Sequence, residues 1–85
     1  MMYVTNAKYI NQFKVRISFS NGDEGVVDLK EELWGEVFKT LQSPESFRQF
    51  ELSQTFRTIQ WPNGADFAPE FLHAKMVEQA TKTSV

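Results

Sequence analysis

The sequence predicts a small α+β domain: an antiparallel sheet of about four strands, in the chain order βββααβα, with helices packed on one face. Three observations carry this expectation. Phe13-Lys14-Val15-Arg16-Ile17-Ser18-Phe19-Ser20 alternates apolar with polar residues, the period of a half-buried strand. From Leu33 the apolar spacing changes, and Leu33, Trp34, Val37, Phe38 and Leu41 fall on one stripe of a helix. Eight Phe, two Trp and two Tyr among 85 residues supply the core volume that so short a chain otherwise lacks.

Tyr3 to Ile10 reads as a first strand that turns near Asn11-Gln12. By parity Tyr3, Ala7 and Tyr9 join the Phe13 face. The alternating run is the second strand, Asn21-Gly22-Asp23 the turn, and Glu24 to Leu29 the returning strand of a hairpin. A two-residue loop would set Val27 opposite Arg16 and send one strand's apolar set to the wrong face. An odd loop of three or five residues is therefore expected, with Ile17 opposite Val27, Val15 opposite Leu29, and Arg16 facing Asp28. Asp28 is a capping candidate for the helical stripe, which Gly35 weakens or breaks. Ser43-Pro44-Glu45 is a helix entry, with Ser as N-cap, Pro at the first position and an acid in the first turn. Phe56 to Trp61 is β-rich and ends at the turn Pro62-Asn63-Gly64; Pro69-Glu70 opens a last helix. One domain over residues 1–80 is expected, with 81–85 as a flexible tail.

Composition narrows the function classes. Without cysteine the chain can form no disulfide, thiol nucleophile or iron–sulfur cluster, and its single His73 cannot build a histidine metal cluster. No stretch resembles a signal peptide or approaches about 18 uncharged apolar residues, so a cytoplasmic location without a membrane partner is expected. A net charge of −2 offers no bulk attraction to nucleic acid.

The search for chemistry returns no catalytic, cofactor or metal residue. His73 reads as a helix-packing residue. Asp23, Glu24 and Asp28 lack cation-loop spacing and read as turn and cap residues. Gly22 and Gly25 enclose two negative charges and precede a strand, which rules out a phosphate loop. Lys8, Lys14 and Arg16 share the polar face of the sheet and could contact single-stranded nucleic acid, or Asp28 could neutralise Arg16 across the hairpin. The most distinctive stretch runs from Trp61 through Pro62, Asn63, Gly64 and Asp66 to Pro69. It reads either as architecture, with Trp61 buried, Gly64 at positive φ and Asp66 bonded to local backbone, or as a recognition pocket.

Two runs, Phe19-x-Asn21-Gly22-x-x-Gly25-x-Val27-Asp28-Leu29 and Thr58-Ile59-x-Trp61-Pro62-Asn63-Gly64-x-Asp66-Phe67-x-Pro69-Glu70-x-Leu72-His73, together resemble the bacterial domain-of-unknown-function family 2442. The resemblance covers almost the whole chain. It implies a compact α+β domain and offers no catalytic residue. Some relatives carry an added helix-turn-helix segment, which is not expected here, or lie beside toxin–antitoxin partners. Ala68 stands where the family pattern often has a capping Ser, which implies a weaker start to the last helix. The resulting expectation is a non-enzymatic protein-interaction or regulatory module whose partner is another protein, with a homodimer possible in the uncovered sheet. The alternatives are a nucleic-acid-associated domain using Lys8, Lys14 and Arg16, and an enzyme whose site forms between subunits.

Overall fold

The computed structural model describes residues 1–83, with side chains through Ala80. Strands β1 (Val4–Asn11), β2 (Lys14–Phe19) and β3 (Glu24–Asp28) form an antiparallel three-stranded sheet in that order. A 3-10 turn (Lys30–Glu32) and two one-turn helices, α1 (Glu36–Lys39) and α2 (Pro44–Phe47), lead to a separate two-stranded sheet of β4 (Glu51–Leu52) and β5 (Ile59–Gln60), and α3 (Pro69–Thr83) completes the fold. The expected tail concerns residues 84–85 and the side chains of 81–83, which lie outside the described residues. No described helix is long and apolar enough to cross a membrane.

The alternating β2 run does what its period dictates: Val15, Ile17 and Phe19 are buried, while Arg16 is exposed. Phe19 N–H donates to Asp23 O (2.8 Å) and Gly22 N–H to Phe19 O (3.0 Å), so Ser20-Asn21-Gly22 is a three-residue loop with Gly22 at φ 92°. The odd loop keeps Val27 and Leu29 on the core face, as parity requires. The partners sit two residues away from those expected. Val15 opposes Val27 and Ile17 opposes Gly25, so Lys14 rather than Arg16 faces Asp28. Parity fixes the face but leaves the partner free, and the loop starts one residue earlier than Asn21. In β1 the register shifts between Val4 and Asn6. This bulge turns Val4, not Tyr3, into the core, while Ala7 and Tyr9 keep the expected face.

The helical stripe from Leu33 does not form one helix. Gly35, at φ 89°, separates the 3-10 turn from α1 and stands as the α1 N-cap. Leu33 and Leu41 are buried, but Trp34 and Val37 are not. Asp28 makes no capping box; its Oδ1 accepts from Lys30 N–H (3.0 Å) within a local turn. Ser43 does cap α2, its Oγ accepting from Ser46 N–H (3.3 Å), with Pro44 at the first position. The strand expected at Phe56–Trp61 is reduced to Ile59–Gln60. Arg57 N–H bonds Ser53 O in a turn, with Arg57 at φ 54°, and β5 pairs with β4 instead of joining the main sheet.

Helix α3 covers the core face of the sheet. Gly25 permits the approach, since a Cβ there would lie 2.8 Å from Met76 Sδ. The Gln79 amide then pairs with the edge of β3: Asp28 N–H donates to Gln79 Oε1 and Gln79 Nε2 donates to Asp28 O, both at 2.8 Å. Two more ties hold the helix, Lys75 to Glu32 (3.1 Å) and His73 to Asp23 (2.7 Å). Between the sheet, α2 and α3 sits an aromatic core, in which Phe47 meets Phe13 at 5.3 Å and Trp61 at 5.6 Å between ring centroids.

Candidate interaction surface

The Trp61–Pro69 stretch is built as architecture. Trp61 is 2% exposed, and its Nε1 donates to Phe47 O at 2.6 Å. Gly64 N–H donates to Trp61 O and Trp61 N–H to Ala65 O, both 2.9 Å, closing the turn with Gly64 at φ 90°. Thr58, also buried, donates from Oγ1 to Phe67 O (2.6 Å). Asp66 departs from expectation: its side chain is exposed, and its contribution is a backbone bridge to Gln60. Pro69 opens α3. Beside the turn lies an open cleft of about 260 Å³ lined by Glu51, Leu52, Ser53, Gln60, Trp61, Pro62 and Gly64. It falls below the volume range of ordinary small-molecule sites, roughly 300–1,000 Å³.

Asn63 links this turn to a different surface. Its Oδ1 accepts from Ala65 N–H (3.0 Å), while its Nδ2 donates outward to Val37 O (2.8 Å) and Thr40 Oγ1 (3.1 Å). The α1 segment is thereby pinned at Val37. On the other side, Gln42 Nε2 donates to Leu33 O. Leu33 is buried, and Phe38 stacks on Phe67 with ring centroids 4.7 Å apart. Held at both ends, the intervening backbone turns Trp34 outward with 72% of its surface exposed, and Val37 with 50%. An indole of about 150–250 Å² left in water by an anchored backbone is a feature of the fold rather than a frayed end. Sequence reasoning placed Trp34 in a buried stripe; the signal that could have found it is Gly35.

The basic residues occupy the sheet face that α3 leaves uncovered. Lys8 pairs across strands with Arg16, Arg16 is bridged to Glu24 at 2.9 Å, and Lys14 lies opposite Asp28. The three acids near the hairpin do not converge: Asp23 turns to His73, Glu24 to Arg16, and Asp28 to Lys30 N–H. Among the described residues no three His, Asp or Glu side chains gather as a metal site requires. The hydrogen bond from His73 holds the Asp23 carboxyl below its ordinary value, and Phe19 meets the imidazole edge-on at 5.1 Å between centroids.

Comparison with known proteins follows the fold. No curated protein matches the chain. The structure resembles the crystal structure of a candidate DNA-binding protein from Nitrosomonas europaea, with a TM-score of 0.83 at 20% sequence identity. The match covers 95% of this chain but 52% of that one, so this chain spans about half that protein's length. The profile of the family described as Protein of unknown function (DUF2442) matches residues 4–78, nearly the whole fold, and the chain belongs to that family.

Proposed function

We propose that the domain is a non-enzymatic protein-interaction module that docks another protein through the Trp34–Val37 segment. The observation that carries this reading is the 72% exposure of Trp34 on a backbone pinned by Gln42 and Asn63. Tryptophan is the side chain most often found as an interface anchor, because it contributes a large contact area while ordering only two torsions. Displaying one in water is costly unless a partner covers it.

A second reading, nucleic-acid binding, draws on the Nitrosomonas europaea protein and on Lys8, Lys14 and Arg16. That likeness is one of fold, to a protein about twice as long. On this chain Glu24 and Asp28 stand among the three cations, and the array holds no aromatic ring for a base to stack on.

Affinity capture from the native host, with Trp34→Ala and Trp61→Phe as parallel baits and oligonucleotide binding as a control, tests the proposal. A partner protein retained by wild type and Trp61→Phe but lost on Trp34→Ala, at unchanged melting temperature, supports it. Capture indifferent to Trp34, or salt-dependent micromolar oligonucleotide binding, overturns it.

A further inference from the structure

The uncovered face of the sheet carries a pattern that follows directly from the register. Across the strands its rows read Asn6, Ser18, Glu24; then Lys8, Arg16, Val26; then Lys14 and Asp28, with Ile10 and Asn11 sharing the β1 place at the bulge. Taken strand by strand, the charges segregate. β1 and β2 supply Lys8, Lys14 and Arg16, and β3 supplies Glu24 and Asp28 on either side of Val26. Two apolar side chains sit within the array in water, Ile10 at 41% and Val26 at 40% exposure. Neither Lys8 nor Lys14 makes an ion pair among the described residues.

We infer that this face docks a second copy of the chain, the two sheets packing face to face about a two-fold axis parallel to the strands. Turning a three-stranded sheet over about its central strand exchanges its edges. The acidic β3 of each copy then lies over the basic β1 of the other, and the complementary contact occurs twice, as an isologous interface requires. Aligned packing of this kind is an ordinary geometry for two sheets. An axis running across the strands would instead lay β3 on β3 and set carboxylates against carboxylates. The strand edges are poorer candidates for self-association. Gln79 already pairs with the β3 edge at Asp28, and Arg57 O accepts from Val4 N–H at the start of β1.

The footprint is small. Three strands and about five residues span roughly 14 by 17 Å, less than the ~800 Å² per partner of a standard interface. The dimer is therefore weak, dependent on concentration and loosened by salt.

Charge exchange tests both the face and its orientation. Lys8→Glu/Lys14→Glu makes the face acidic, and Glu24→Lys/Val26→Lys makes it basic while sparing the Asp28 turn. Both alter exposed or half-buried surface positions, and melting curves check that each variant folds. Sedimentation at up to millimolar protein should show wild type dimerising, each variant alone at least about tenfold weaker, and the equimolar mixture restored as a heterodimer. If one double variant fails to fold, the single change Lys8→Glu against Glu24→Lys gives the same readout. Monomeric wild type at that concentration overturns the inference. So does dimerisation unaffected by the substitutions, which would place self-association on another surface. Variants that are monomeric alone and fail to restore each other when mixed overturn the proposed orientation.

Discussion

Replacing Trp61 with alanine removes the largest fully buried side chain in the protein. The indole touches rings on every side, with centroids 5.6 Å from Phe47, 5.8 Å from Phe67, 6.1 Å from Phe50 and 6.5 Å from Phe38. Large-to-small changes of this type cost about 3–5 kcal/mol in transfer and cavity terms. The Phe47 carbonyl loses its 2.6 Å donor as well, adding about 1 kcal/mol or more unless water enters the cavity. A chain of 85 residues has a total stability of roughly 4–13 kcal/mol. Trp61→Ala therefore removes a large share of it and brings the protein close to unfolding at 25 °C. Trp61→Phe keeps most of the ring and loses chiefly the N–H bond, so about 1–2 kcal/mol is expected. Urea unfolding followed by circular dichroism measures both, provided the m-value stays constant. A Trp61→Ala protein that is fully folded and less than about 1 kcal/mol below wild type would refute the architectural reading of the turn.

Other substitutions probe separate joints. Gly64→Ala should cost about 1 kcal/mol, because an alanine at φ 90° is strained even with open space around its Cβ; chemical denaturation reads this directly. Gly25→Val should cost about 1–3 kcal/mol by forcing Met76 off the sheet, whereas Gly25→Ala meets only the flexible Met76 tip and should cost less. The pH dependence has two ends. His73 lowers the folded-state pKa of Asp23 from 3.8, so the stability from this contact is present above that value and lost as pH falls through the depressed one. Asp23→Asn should flatten the loss of melting temperature below about pH 4. Glu32 raises Lys75 above 10.5, so that contribution is present below this value and lost as pH rises through the raised one. Lys75→Met should flatten the alkaline limb of the melting profile.

The parts of the fold that were legible in the sequence are those where periodicity and sterics act locally. The β2 alternation, the Ser43-Pro44 entry and the Pro62-Asn63-Gly64 turn each follow from a few adjacent residues. What escaped depends on contacts far along the chain. Parity named the core face of β2 and β3 but could not choose between partners two residues apart, and the bulge that exchanges Tyr3 for Val4 leaves no trace in an alternation pattern. β4 is two residues long, too short for any period to register. The Leu33–Leu41 spacing suits a helix, yet Gly35 and the two side-chain amides that pin its flanks break that helix and turn Trp34 outward. The candidate surface was hidden for this reason. Its exposed indole is set by Gln42 and by Asn63, 26 residues beyond Val37. Asn63 stood out in the sequence as part of a distinctive loop, but its partner in α1 was invisible there.

The account rests on a division of labour between two tryptophans, with Trp61 holding the core and Trp34 meeting the partner. Calorimetric titration of the captured partner protein into wild type, Trp34→Ala and Trp61→Phe, each with its melting temperature recorded, tests this most directly. The account predicts that Trp34→Ala weakens binding by about 2 kcal/mol or more, the cost of truncating a hot-spot anchor, with no change in melting temperature, while Trp61→Phe binds normally but melts lower. Undiminished binding by Trp34→Ala, or a drop in its melting temperature as large as that of Trp61→Phe, would contradict it.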